Sequence, residues 1–149
     1  MKREIKFRGQ VLNSVKDKKD NVVTEWKSWV YGDLLHRPNG VLHILTLNEE
    51  KGCYENNIID PKTVGQFTGM PDKGGKEIYE GDIVLWRRDG KLYLVKFYAG
   101  MFYASVEELN KGVYGGFPLH VLTVDEEDGY KCEVCGNIYD NSELLKGGK

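Results

Sequence analysis

This 149-residue chain has no basic excess: 21 Lys and Arg stand against 23 Asp and Glu, with a net charge of −2 and an isoelectric point near 5.9. Proteins whose main task is gripping nucleic acid usually carry a positive surplus, so the balance argues against that class without removing it. Cysteine is scarce and odd in number, with three residues. An odd count does not build a closed intrachain disulfide framework. No apolar run approaches a membrane span, and no N-terminal stretch has the form of a signal peptide. The expectation is a reduced protein of the cytoplasm, with no membrane partner. Helical periodicity is also missing, since no window sustains an apolar repeat of three to four residues for three turns. Internal repeats and low-complexity segments are absent too.

What is present is 18 glycines and many short alternating runs. In "REIKFRGQVLN" Ile5, Phe7 and Val11 share one parity while Lys6 and Arg8 take the other, the pattern of a half-buried strand. "DKKDN" predicts a polar turn, and "VTEWKSWVYGDLL" a second strand pairing with the first. "RPNG" turns into a third strand, "VLHILTL", and "EEKGCYENN" is expected to be a loop. Asp60 before Pro61 has the chemistry to cap a short turn, with a strand from Val64 to Phe67 after it. Residues 69–82, rich in turn chemistry, are read as the connection between an N-terminal lobe, about 1–70, and a C-terminal lobe, about 78–145.

The C-terminal part predicts a β-meander. "DIVLWRR" and "KLYLVKFY" flank the hairpin signal Asp89-Gly90, and Ala99-Gly100 turns into "MFYASV". "VEELNKG" is expected to form one helical turn, "PLHVLTV" and "CEVCGNIYD" strands, "NSELL" a closing helical turn capped by Asn141 or Ser142, and "KGGK" a frayed tail. The resulting class is mainly β: a folded sheet or pseudo-barrel (a small β-barrel) of two lobes with very little helix.

Four separated motifs, in order, together carry a resemblance. They are "REIKFRG", "WVYGDLL" at Trp29–Leu35, "VGQFTGMPDKGGKEIYEGDIV" at Val64–Val84 and "GNIYDNSELL" at Gly136–Leu145. The chain resembles the YopX-like family of phage and prophage proteins over nearly its whole length. The resemblance implies a single mostly-β YopX-like domain over 1–149 and a phage-encoded accessory product. It carries no catalytic or binding residues over to this chain. Where the family usually has an apolar residue, often Ile, this chain has Cys135, which implies a small buried side chain there.

The pair in "CEVCG", Cys132 and Cys135, has the spacing of half a zinc site. Cys53, His36, His43 and His120 are the remaining ligand candidates, at no recognisable spacing. In a strand, residues three apart point to opposite faces, so the reading preferred here is buried structural cysteine. A thioredoxin-like redox role lacks a following helix to lower a thiol pKa. "EGDIV" has a structural reading, Gly81 permitting a tight entry and Asp82 binding backbone donors, beside a paired-carboxylate reading with Glu77 or Glu80. "DKGGK" is too short for a P-loop and reads as a turn. No metal, cofactor or catalytic residue is assigned.

Aromatics are the one enrichment. Trp86, Tyr93, Phe97, Tyr98, Phe102 and Tyr103 fall near Arg87, Arg88, Lys91 and Lys96, an arrangement that can bind single strands by stacking. Alternation instead places Tyr93, Val95 and Phe97 on a core face. Two local charge blocks, basic at Lys2–Arg8 and Lys16–Lys19 and acidic at Asp125–Asp128, read as solvated segments, or as a phosphate-binding edge or subunit contact. Three functions are therefore expected in this order. The first is a non-enzymatic adaptor that binds itself or a host or phage protein in the host cytoplasm. The second is a nucleic-acid module using Arg3, Lys6, Arg8, Trp86, Arg87, Arg88, Lys96 and Tyr98. The third is an enzyme of unassigned type.

Overall fold

The structure is a computed structural model that describes residues 3–124 and 131–145. Lys2, the acidic block at 125–128 and the "KGGK" tail lie outside the described residues. Among the described residues eleven strands form two antiparallel sheets, a six-stranded one ordered β4-β3-β2-β1-β5-β6 and a five-stranded one ordered β10-β9-β8-β7-β11. The mainly-β class holds, but the sheets are open and do not close into a barrel. The chain divides into two compact units between Gln66 and Phe67.

The N-terminal unit is built on β1 (Phe7–Lys16) and β2 (Val23–His36), a long hairpin in full register from Phe7↔Gly32 to Lys16↔Val23. The turn forms as its polar sequence dictates, with Asp17 Oδ1 accepting the Lys19 N–H at 2.7 Å. Beyond Gly32, β2 leaves β1 and pairs with β3 (Leu42–Asn48), from Asp33↔Leu45 to His36↔Leu42. β3 in turn pairs with β4 (Cys53–Ile59). "EEKGCYENN" is thus a turn and most of a strand, not a loop. β4 is exposed on both faces over most of its length, so no alternation marks it. The sheet curls until the Asp60 N–H donates to the Gln10 carbonyl at 2.9 Å. A 3₁₀ turn follows at Pro61–Thr63, capped by Asp60 as its sequence predicts. Its Thr63 hydroxyl accepts the Gln10 N–H at 2.8 Å. Ile44 and Ile59 are buried inside the curl, where a Cβ on Gly9 would lie 2.6 Å from Ile59 Cδ1. Only glycine lets β1 come that close.

β5 (Gly65–Pro71) pairs at Gly65 and Gln66 with β1, and farther along with β6 (Glu77–Tyr79). Part of the expected 69–82 loop is therefore strand. In the C-terminal unit β7 (Asp82–Trp86), β8 (Lys91–Tyr98), β9 (Met101–Ser105) and β10 (Gly116–Pro118) form the expected meander, with β11 (Glu133–Asn137) added beside β7. Residues 120–123 of the expected "PLHVLTV" strand form a short helix, α1 (His120–Thr123), and "VEELNKG" is a turn. "NSELL" closes in a 3₁₀ turn at Ser142–Leu144, but the Asn141 side chain accepts from the Asn137 N–H and does not cap it. The core gathers Ile78, Val84, Trp86, Tyr93, Val95, Leu119, Leu122 and Cys132. No helix among the described residues is long and apolar enough to cross a membrane.

Candidate functional site

Several of the residues singled out for nucleic-acid contact are buried or carry a carboxylate partner. Arg8 is buried, its guanidinium 4.5 Å from the centre of the Trp29 ring. Strand parity put Arg8 outside, yet both faces of β1 are covered at this point, so the assignment is corrected. Arg3 is exposed, and Lys6 pairs with Glu4 at 3.1 Å. Trp86 is also corrected from contact to core, packed edge-on against Phe117 and Tyr93. Arg87 reaches Glu133 with two N–H groups at 2.9 and 3.3 Å. That pairing raises the Arg87 pKa and lowers the Glu133 carboxyl below its ordinary value. Lys96 donates to Glu108 at 2.7 Å, which raises the Lys96 pKa. Arg88 lies over the Trp86 ring at 5.9 Å, and Tyr98 is exposed at the far end of β8. At about 3.3 Å per residue the two ends of that strand are roughly 20 Å apart.

The aromatic enrichment has a different outcome. Tyr93 and Val95 enter the core as parity predicts, but Phe97 is 55% exposed because β8 runs past the edge of the core. Its ring meets that of Phe102 edge-on at 5.4 Å, while Tyr98 packs on Tyr103 at 5.6 Å. Met101, opposite Tyr98, is exposed too. The turn between them, Ala99-Gly100, has positive φ at both residues, the conformation that fits a two-residue hairpin. The outcome is a short, well-braced hairpin tip that displays Phe97, Tyr98 and Met101.

The other motifs resolve into structure. Asp82 is buried and its Oδ2 accepts the Tyr79 N–H at 2.7 Å, while Gly81 takes φ +90° against the Tyr139 ring. Glu77 accepts from the Tyr79 hydroxyl at 3.2 Å. "DKGGK" is a turn held by Asp72, which accepts backbone N–H groups from Gly74, Lys76 and Val134. A cleft of about 400 Å³ is lined by Asp89, Lys91, Tyr93, Tyr114 and Phe117 among others. The Tyr93 hydroxyl donates to Asp89, and burial together with that carboxylate raises its pKa, so the phenol stays protonated at neutral pH.

The "CEVCG" pair splits. Cys132 is in the core and Cys135 is exposed, its thiol donating to the Ile83 carbonyl at 3.4 Å. The expected burial at 135 is corrected: β11 shifts register between Val134 and Gly136, and this bulge turns Cys135 outward. The two sulfurs do not converge, and no group of three or more His, Cys, Asp or Glu among the described residues is placed to hold a metal. Burial and the Asp72 charge push the Cys132 thiol up to about 12. With Ellman's reagent at pH 8 we expect Cys53 to react first, Cys135 more slowly because burial also raises its pKa, and Cys132 only on unfolding. Three fast thiols in the native protein would contradict the assigned core.

Sequence and structure comparisons give three findings. The profile of the family described as YopX protein matches residues 15–146. No curated protein matches the chain in sequence. A crystal structure of protein EF1440 from Enterococcus faecalis is similar at 20% identity and a TM-score of 0.49, covering 97% of this chain and all of that one.

Proposed function

The chain belongs to the YopX protein family, and on that premise we propose that it is a non-enzymatic accessory protein of a phage or prophage. It acts in the host cytoplasm by binding protein, either a partner or a second copy of itself. The observation that carries this reading is the β8–β9 hairpin tip, where Phe97 and Tyr98 are more than half exposed and braced by Phe102 and Tyr103. Pre-ordered aromatic side chains are the type that anchors protein interfaces, because little conformational entropy remains to be lost on binding.

The nucleic-acid reading is weaker on this geometry. The charges of Arg87 and Lys96 are matched by Glu133 and Glu108, and two of the proposed contacts, Arg8 and Trp86, are buried. Size-exclusion chromatography with light scattering at low and high salt separates the two. An apolar protein contact changes little with salt, whereas a phosphate-driven complex weakens steeply.

A further inference from the structure

We propose that the N-terminal unit carries a strand-acceptor slot, a cleft between β1 and β4 that takes an extended segment of another polypeptide. The proposal rests on the protein-binding reading above and names a site and a class of partner for it.

The slot follows from where the backbone hydrogen bonds go. β1 is bonded to β2 along its whole length, but among the described residues its other edge is used only at its start, by Gly65 and Gln66 of β5, by Asp60 and by the Thr63 hydroxyl. Gln10 directs both its N–H and its C=O away from β2. Alternation along the strand then sends the N–H and C=O groups of Leu12, Ser14 and Lys16 the same way, toward an edge that no strand among the described residues covers. β4 is the outermost strand of its sheet. The Asp60 N–H points to β1, and by the same alternation those of Ile58 and Asn56 do too.

β1 and β4 run antiparallel, each step of the order β1-β2-β3-β4 being antiparallel. The Asp60–Gln10 bond therefore joins them at one end, and Lys16 and Cys53 lie toward the other. The cleft between them has a volume of about 660 Å³ and is lined by Val11, Leu12 and residues 56–60. Leu12 and Ile58 stand at its two sides, each more than 60% exposed. Apolar side chains beside open strand edges are a hazard that proteins normally cover or charge.

The occupant is set by edge counting. A segment between β1 and β4 bonds to both, so it must be free on both of its own edges. β1 and β4 of a second copy do not qualify, because each is already bonded on one edge within its own sheet. The occupant is a segment without a sheet of its own, such as a tail or loop that becomes a strand on binding. Apolar side chains of the occupant suit the cleft, because Leu12 and Ile58 line it.

The probe is a phage-displayed library of random nine-residue peptides, selected on the full-length protein, with the enriched peptides then synthesised. Hydrogen exchange is read residue by residue with and without peptide. The expected result is slowed exchange at Leu12, Ser14, Asn56 and Ile58, which exchange fast in the free protein while Val11 and Asn13 are slow. Two variants test the geometry. Ser14→Pro removes an edge N–H that β2 does not use, and Leu12→Lys places a charge on the lining. Each is expected to weaken peptide binding by at least about tenfold with the fold intact by circular dichroism. Enriched peptides that protect the β8–β9 tip instead, and bind Ser14→Pro and Leu12→Lys as well as the parent, overturn the slot while leaving the protein-binding reading in place. Failure of the library to enrich any peptide overturns the slot as well. So does concentration-dependent protection of the same amides without peptide, which would make the occupant a second copy.

Discussion

Gly32→Ala is expected to unfold the N-terminal unit. Gly32 is the point at which β2 changes partners, from β1 to β3, with φ +152°. A Cβ there would lie 2.0 Å from the Leu45 carbonyl oxygen and 2.9 Å from its carbon. The obstacle is backbone of the neighbouring strand, so no rotamer change relieves it. Moving the strand breaks the β2–β3 ladder, and the few buried apolar side chains found here, Ile44 and Ile59, offer little to hold the unit otherwise. A cost of at least about 4 kcal/mol follows. Gly40→Ala is the control, since Gly40 also has positive φ, +83°, but a Cβ there meets nothing within 4 Å. It is expected to cost only the conformational penalty, about 1–2 kcal/mol. Urea unfolding, with the indole signals of Trp26 and Trp29 reporting on this unit and Trp86 on the other, measures both. Equal effects of the two substitutions would mean that the close approach at Gly32 is wrong.

The second large effect is expected at Asp72. Its Oδ1 accepts from Gly74 at 2.8 Å and Lys76 at 2.9 Å, and its Oδ2 from Val134 at 2.9 Å. The Lys73 N–H donates to the Cys132 carbonyl at 2.9 Å. One carboxylate thus shapes the turn between β5 and β6 and fastens it to β11. Asp72→Ala leaves three N–H groups without their acceptor, at a cost of about 3–5 kcal/mol. Asp72→Asn keeps one oxygen for the turn but turns an amide toward Val134, at about 1–2 kcal/mol. Thermal unfolding should rank parent, Asn and Ala in that order, with Cys132 becoming reactive toward Ellman's reagent in the Ala variant. An Ala variant as stable as its parent would show that the turn is held by its backbone bonds alone.

Hairpins were the most legible part of the sequence, because their turn residues and the alternation beside them agree. "DKKDN" and Ala99-Gly100 each turn where their chemistry places them. Asp89-Gly90 marks its hairpin too, though the turn spans four residues between Trp86 and Lys91. β4 was hidden for the opposite reason: an edge strand wet on both faces has no apolar period, and Asn56 and Asn57 read as loop. Parity also misled at strand ends. It put Phe97 in the core, where β8 has already run past it, and Arg8 outside, where its ring contact with Trp29 buries it. Trp86, beside two arginines, looked like a stacking platform until Phe117, far along the chain, covered it. The slot between β1 and β4 depends on curling that brings Asp60 to Gln10, and a long-range bond of that kind leaves no local trace in sequence.

The proposed mode of action is apolar contact with protein. The most direct test is the light-scattering mass of the purified chain at 50 mM and 1 M NaCl with the 260/280 nm absorbance ratio recorded, for the parent and for Phe97→Ser/Tyr98→Ser. The same mass is expected at both salts with an absorbance ratio of protein alone, and, where the parent is oligomeric, loss of the oligomer in the double variant. Nucleic acid that travels with the protein at low salt and is stripped at high salt would contradict it.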